Sequence, residues 1–273
     1  MGDVAMAAAA TARLEWMDIP TCPFPPYNPY PNFEPNRYRA SYPYAKQTDL
    51  VDKPVPTRHR VVVLENRYVR ATVLVDLGGR LFSLFDKVAG QETFMVPPTL
   101  KFQNVSNRGA WLAGGIEFNF GQRGHSLLTV APLAFCLREQ PDGSAAVWIG
   151  SVCRPTENRY AVCLSLKADR AALDVDIHTM APADLPGLMY WWSNAGVQVT
   201  PDSRFFYFGL HADAMHSRHG WPIADGKDFS WYRNRFMEAD MFLLEPQRDY
   251  LGFYDFGRHH GLTQTADRFK APG

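Results

Sequence analysis

The sequence has no surplus charge of either sign: 28 Lys and Arg residues balance 28 Asp and Glu, for a formal net charge of +0. Nucleic acid and acidic membrane surfaces attract a basic surplus, so neither is expected as a partner. Cysteine is scarce. Cys22, Cys136, Cys153 and Cys163 include no C-x-x-C pair, which argues against a structural zinc site, and 4 cysteines in 273 residues are too few for a disulfide-built scaffold. Cys153 and Cys163 are spaced to meet across a hairpin, but buried free thiols suit an intracellular chain better. No run approaches the roughly 20 apolar residues of a membrane-spanning helix. The Ala-rich stretch Ala7–Ala10 has no basic leader and soon meets Arg13 and Glu15, unlike a signal peptide. These absences lead to the expectation of a cytoplasmic protein. Also missing are a sustained helical period, a fixed internal repeat and an acidic loop of the calcium-binding kind. No cofactor or metal is expected.

What is present points to strands. The length suits one large all-β domain or two small ones. Aromatics are high at 14%, which serves either a bulky β core or flat platforms for sugars. Residues 1–57 form a Pro/Tyr-rich extended segment. Its stretch from 20 to 57 carries P-F-P-P-Y-N-P-Y-P, S-Y-P-Y and K-P-V-P. Proline removes ladder donors, and so many tyrosines suit a strap packed along the domain better than a solvated linker. From Arg60 two β-branched runs flank a turn at E-N-R. G-G-R-L-F-S-L-F-D-K, the D-K-V-A-G-Q-E-T-F-M hairpin and L-T-V-A-P-L-A-F-C-L-R follow, then A-A-V-W-I-G-S-V, R-Y-A-V-C-L-S-L and A-L-D-V-D-I-H-T-M. G-L-M-Y-W-W-S-N-A-G-V-Q-V and S-R-F-F-Y-F-G-L complete the set. Short strands so spaced predict a sandwich or barrel over 58–273, and the polar stretch 211–240 reads as a long loop within it.

Several segments carry a family likeness in combination: L-G-G-R-L-F-S-L-F-D-K (77–87), R-G-A-W-L-A-G-G-I-E-F-N-F (108–120), Y-W-W-S-N-A-G-V (190–197), and G-F-Y-D-F-G (252–257) with A-D-R (266–268). With these the chain resembles a bacterial family of uncharacterised galactose-mutarotase-like β-sandwich domains, often found ahead of tetratricopeptide repeats or near sugar-degrading genes. The resemblance implies a mutarotase-like β-supersandwich, a carbohydrate ligand and a tetratricopeptide-repeat partner, and a sheet edge left exposed by an early stop would invite self-association. Family domains continue past A-P-G into further strands, whereas this sequence stops at Gly273, so a fragment or short form truncated at its C-terminal end is expected. Aldose mutarotases place a catalytic histidine just before a Y-F-N motif; Tyr190 stands at the matching place here.

The candidate site follows from strand parity. In G-G-I-E-F-N-F, Ile116, Phe118 and Phe120 share one face and Glu117 and Asn119 the other. Glu117 can serve as general acid or base, or as acceptor for sugar hydroxyls, and the glycines let a ligand approach the backbone; the plain alternative is a solvated outer face. Trp111 offers an apolar platform and Arg108 a donor for hydroxyls or a uronate, against a core Trp and a turn-capping Arg. Trp192 and Asn194 share a face and are assigned to the site, Trp191 to the core. His211, His216 and His219 match no zinc spacing. His211 is the best acid–base candidate of the three, since its neighbourhood resembles a His-Ala position of the family. His125, in Q-R-G-H-S, is a further base, and Asp255 can pair with Glu117 as glycosidases pair carboxylates, or form an Asx turn before Gly257. The expected catalytic residues are therefore Glu117, His211, Asp255 and His125, with Arg108, Trp111, Asn119, Trp192 and Asn194 holding the sugar. Three outcomes stay open: an enzyme acting as glycoside hydrolase or epimerase, a non-catalytic carbohydrate-binding domain, and a fold-only interaction domain.

Overall fold

The computed structural model describes residues 9–24, 40–122, 124–183, 189–208, 210–212, 218–219, 221–235, 242–244 and 247–266. It is an all-β sandwich, and a 3-10 turn at Tyr232–Asn234 is the helical element among the described residues. None of their helices is long and apolar enough to cross a membrane. The chain forms two compact units, Met1–Val197 and Gln198–Gly273.

The first unit contains β1 (Thr11–Thr21), β2 (Val55–Glu65), β3 (Val69–Leu74), β4 (Arg80–Asp86), β5 (Gln91–Glu92), β6 (Phe102–Ser106) and β7 (Gly109–Leu112). It continues with β8 (Gly115–Gly121), β9 (Ala134–Glu139), β10 (Ala145–Cys153), β11 (Asn158–Leu166), β12 (Leu173–Met180) and β13 (Met189–Gly196). A seven-stranded sheet runs β1-β2-β3-β4-β8-β13 with β5 on β4, and a four-stranded sheet runs β12-β11-β10-β9. The β-branched runs dictate both. Val61 to Leu64 are buried on both faces of β2, and the E-N-R turn is closed by Asn66, whose Oδ1 accepts from the Tyr68 and Val69 N–H groups. In β10, Ala145, Val147 and Ile149 point inward while Trp148 and Val152 are exposed.

One face of the larger sheet meets the smaller sheet, where Phe120 stacks on Tyr160 with centroids 4.0 Å apart. Its other face is also covered. Ile19, Val61, Val63, Leu74 and Phe82 pack there with Leu100, Val130 and with Ala110 and Leu112 of the β6–β7 hairpin. The hairpin thus closes over the side of the sheet that carries Glu117.

Three expectations are revised. Thr11–Thr21, within the segment read as extended, is a full strand paired along its length with β2. Leu128–Ala131, read as the start of a strand, is turn, and pairing begins at Ala134. Cys153 lies opposite Asn158 and Cys163 opposite Trp148, so the two thiols do not meet across the hairpin; all 4 cysteines are free. The strap reading is met at Tyr44, which donates its hydroxyl to Val152 O and accepts from Arg154 N–H, whereas Tyr42 is exposed. Tyr27, Tyr30 and Tyr38 lie outside the described residues.

The second unit contains β14 (Ser203–Phe206), β15 (Leu210–Ala212), β16 (Arg218–His219), β17 (Ile223–Ala224), β18 (Lys227–Asp228), β19 (Phe242–Leu244), β20 (Tyr250–Asp255) and β21 (His260–Thr265). Its sheets run β14-β20-β21, β16-β15-β19 and β17-β18, so the stretch read as a long loop carries short strands.

Candidate functional site

Two glycines set the start of β8. At Gly115 (φ +61°) a Cβ would lie 2.3 Å from the Leu81 carbonyl oxygen, and at Gly114 (φ +92°) 2.5 Å from that of Met95. Sequence reasoning took these glycines to admit a ligand; what they admit is neighbouring backbone, which lets β8 seat tightly against β4. Leu81 pairs with Ile116, so one step along Arg80 faces Glu117, and Glu117 in turn pairs with Asn194 of β13.

Glu117 is 2% exposed, which overturns the solvated-face alternative. Its Oε2 accepts from Trp111 Nε1 at 3.0 Å and lies 2.9 Å from His125 Nδ1; its Oε1 accepts from the Thr129 hydroxyl and lies 3.8 Å from Arg80 Nη2. Burial pushes this carboxyl up, but the His125 hydrogen bond, the Arg80 charge and the Thr129 hydroxyl outweigh it and hold it at about 2. Glu117 is therefore a carboxylate at all ordinary pH, and both its oxygens are engaged in hydrogen bonds. Arg80 is equally buried and donates Nη1 to Gly114 O at 2.6 Å, while among the described residues its Nε and Nη2 have no hydrogen-bond partner.

His125 sits on the segment after β8. An ionised carboxylate at Nδ1 requires the proton on that nitrogen, which leaves Nε2 of the neutral ring as a lone-pair acceptor. Among the described residues Nε2 has no hydrogen-bond partner, and the side chain is 19% exposed. The imidazole lies between two indoles, 5.3 Å from Trp111 and 5.0 Å from Trp192, both half-buried. Its segment is pinned twice from the sheet: the Ser126 N–H donates to Asn119 Oδ1 at 2.7 Å, and Trp192 Nε1 donates to Gly124 O at 3.0 Å.

The structure thus gathers Glu117, His125, Trp111, Asn119, Trp192 and Asn194 on one side of the larger sheet. Asn119 is fully buried and spends its Oδ1 on the His125 segment, while its Nδ2 has no partner among the described residues. Arg108, at the β6–β7 turn, donates Nε to Ala45 O at 2.6 Å and Nη1 to Leu127 O at 3.5 Å. Asp255 lies in the second unit, fully buried, and accepts from the Thr200 and Ser203 hydroxyls and the Arg258 N–H. Burial raises its carboxyl, but these bonds prevail and bring it to about 2. His211 pairs with His219 across β15 and β16; their side chains, like that of Trp191 and the whole of His216, lie outside the described residues. Sequence reasoning missed Arg80 and Thr129. A lone cation inside the apolar run G-G-R-L-F was the available signal for the first; nothing marked the second. Also in the second unit, a cavity of about 290 Å³ lies among Arg204, Phe205, Tyr207, Phe208, Trp221 and Ser230. Arg204 there is matched by Asp228 at 3.6 Å.

Among solved structures, the chain is similar to a TPR-domain containing protein from Parabacteroides distasonis, with TM-score 0.81 and 25% identity over 96% of this chain. The match spans 45% of that protein's chain. A protein described as HI1317 matches at TM-score 0.51 and 10% identity, over 75% of this chain and 72% of its own, a likeness of fold alone. A family model described as Domain of unknown function (DUF5107) matches residues 36–273, and the chain belongs to that family.

Proposed function

We propose that the first unit binds a carbohydrate against Trp111 and Trp192, in a mutarotase-like manner, and that His125 Nε2 exchanges a proton with a hydroxyl of the bound sugar. One observation carries this reading: a partly exposed imidazole is fixed through Nδ1 by a buried carboxylate and flanked by two half-buried indoles. A carboxylate behind a histidine fixes ring orientation and tautomer, and stabilises the imidazolium that forms when Nε2 takes a proton. Indole faces suit the C–H surfaces of a pyranose. In this reading Glu117 is a positioning residue, and Arg80 and Thr129 keep it ionised. Asn119 and Trp192 Nε1 hold the segment that presents His125. The chemistry so supported is proton transfer of the mutarotase or epimerase kind, in place of hydrolysis by paired carboxylates, because Glu117 has no proton to give and its oxygens are already engaged. The longer relative's TPR domain supports one extension, that the sugar site works beside a protein-binding repeat region.

The test is proton NMR of the protein with a panel of hexoses, uronic acids and oligosaccharides. Saturation transfer reads binding and exchange spectroscopy reads interconversion of anomers. We expect transfer to at least one sugar, faster anomer exchange, and loss of the exchange in His125→Ala. Binding without exchange would reduce the domain to a carbohydrate-binding module. No transfer to any sugar refutes the proposal.

A further inference from the structure

The segment Tyr44–Gln47 docks on the turn that joins β6 to β7. The Gln47 N–H donates to Arg108 O at 2.7 Å, Arg108 Nε donates to Ala45 O, and Lys46 Nζ donates to Asn107 O at 2.6 Å. The Arg108 guanidinium lies 5.3 Å from the Tyr44 ring, and the Arg154 N–H donates to the Tyr44 hydroxyl. The charges of Arg108 and Arg154 therefore both act on one tyrosine, with Lys46 held on the same turn. Among the described residues neither Arg108 nor Arg154 has a carboxylate in salt-bridge range; the exposed Glu157, in the same turn as Arg154, forms no ion pair. Several other half-buried arginines do have one: Arg13 has Glu15 and Glu65, Arg60 has Asp76, Arg170 has Asp174 and Arg204 has Asp228. Arg67, Arg70, Arg138 and Arg159, with no acid in range among the described residues, are exposed.

Arg108 is also partly buried, and burial lowers its guanidinium, with no acid nearby to offset the loss of water. A desolvated cation normally sits against an anion. Its Nη1 reaches Leu127 O, two residues past His125, and a Cβ at Gly124 would lie 3.8 Å from Asn107 Oδ1, so this basic turn borders the segment that holds the imidazole. The one carboxylate in the site, Glu117, is already balanced by Arg80 and engaged at both oxygens.

We propose that the sugar taken at the His125 site carries an anionic group, and that Arg108, with Arg154 beside it, supplies the countercharge. A guanidinium presents planar paired donors to a carboxylate, a sulfate ester or a phosphate. The missing counter-ion of Arg108 is thus the ligand's own charge. This inference rests on the carbohydrate reading above and names the class of sugar.

The experiment is isothermal titration of wild-type protein at low salt with matched pairs: a hexose and its uronic acid, a neutral disaccharide and its sulfate ester, a hexose and its phosphate. At least one acidic member should bind about tenfold more tightly than its neutral partner, a typical worth for one charge-assisted contact. Raising NaCl to about 0.3 M should erode that ratio. In Arg108→Met the ratio should fall toward one, and Arg154→Gln, an exposed change that leaves the Tyr44 contact to the backbone intact, should lower it in the same direction. The wild-type ratio and its salt dependence need no variant, so misfolding of Arg108→Met would not shield the inference. Neutral members bound as tightly as acidic ones would overturn it and leave the carbohydrate reading standing. Binding of no member at all would overturn both.

Discussion

Glu117→Gln keeps the shape of the buried carboxyl and removes its charge. It leaves Arg80, 2% exposed, without a counter-ion. Breaking a buried pair from one side costs about 3–5 kcal/mol. Proton linkage gives an independent figure. A glutamate whose carboxyl moves from the ordinary 4.5 to about 2 on folding contributes on the order of 3 kcal/mol at neutral pH. The folded value is the lower one, so this contribution is complete above pH 4.5 and disappears as pH falls toward 2. Glutamine does not titrate. The stability gap between wild type and variant should therefore be about 3 kcal/mol at pH 7 and shrink to roughly half or less by pH 3. Urea unfolding at both pH values reads it, followed by tryptophan fluorescence, since Trp111 and Trp192 flank the site. Asp255 titrates in both proteins and drops out of the difference. A variant within about 0.5 kcal/mol of wild type at pH 7, or a gap that does not narrow at pH 3, would refute the assignment of Glu117 as an ionised, paired group.

Phe120→Ala removes a ring stacked between the two sheets and should cost about 3–5 kcal/mol in the same assay; a loss under about 1 kcal/mol would mean the sheets do not close there. Gly115→Ala would drive a Cβ into the Leu81 carbonyl at a left-handed φ, so a drop in melting temperature and weakened sugar binding should appear together, and normal melting would contradict the close approach of β8 to β4. Asp255→Ala strips the Thr200 and Ser203 hydroxyls and the Arg258 N–H of a shared acceptor, for about 2–4 kcal/mol; limited proteolysis should then cut first within 198–273, and an unchanged cleavage map would argue against it. In a thiol titration of the native protein, half-buried Cys136 should react first and Cys22, Cys153 and Cys163 only on unfolding, because burial pushes Cys163 up to about 11 and raises Cys153 as well. Rapid labelling of all 4 cysteines would contradict their burial.

Both sheets were legible where β-branched runs alternate with turn residues, as in β2 and β3 of the larger and β10 and β11 of the smaller. β1 was not, because its apolar residues face the wrong way for pattern reading. Leu14 and Trp16 are exposed, only Met17 and Ile19 reach the core, and the strand is held along its length by its ladder to β2. Leu128 and Val130 misled for the opposite reason, being apolar and buried yet in a turn. At the site, parity separated Glu117 and Asn119 from Phe118 and Phe120 correctly, since alternation is a local property. It could not show that a hairpin folds over the Glu117 side, or that Arg80 stands opposite across a pairing between distant segments. Hence the roles shifted: a carboxylate read as acid or base is buried against a cation, and His125 holds the ring nitrogen left free.

The strand order also fixes when the site can exist. β13 closes the first unit in sequence but lies beside β8, and its Trp192 is one of the two clamps on the segment carrying His125. The four strands of the smaller sheet lie between β8 and β13 in sequence. Pairings between segments so far apart in sequence are late events in folding. Any chain interrupted before β13 docks therefore lacks one of the two clamps on the imidazole segment, and holds Glu117 and His125 without their full arrangement.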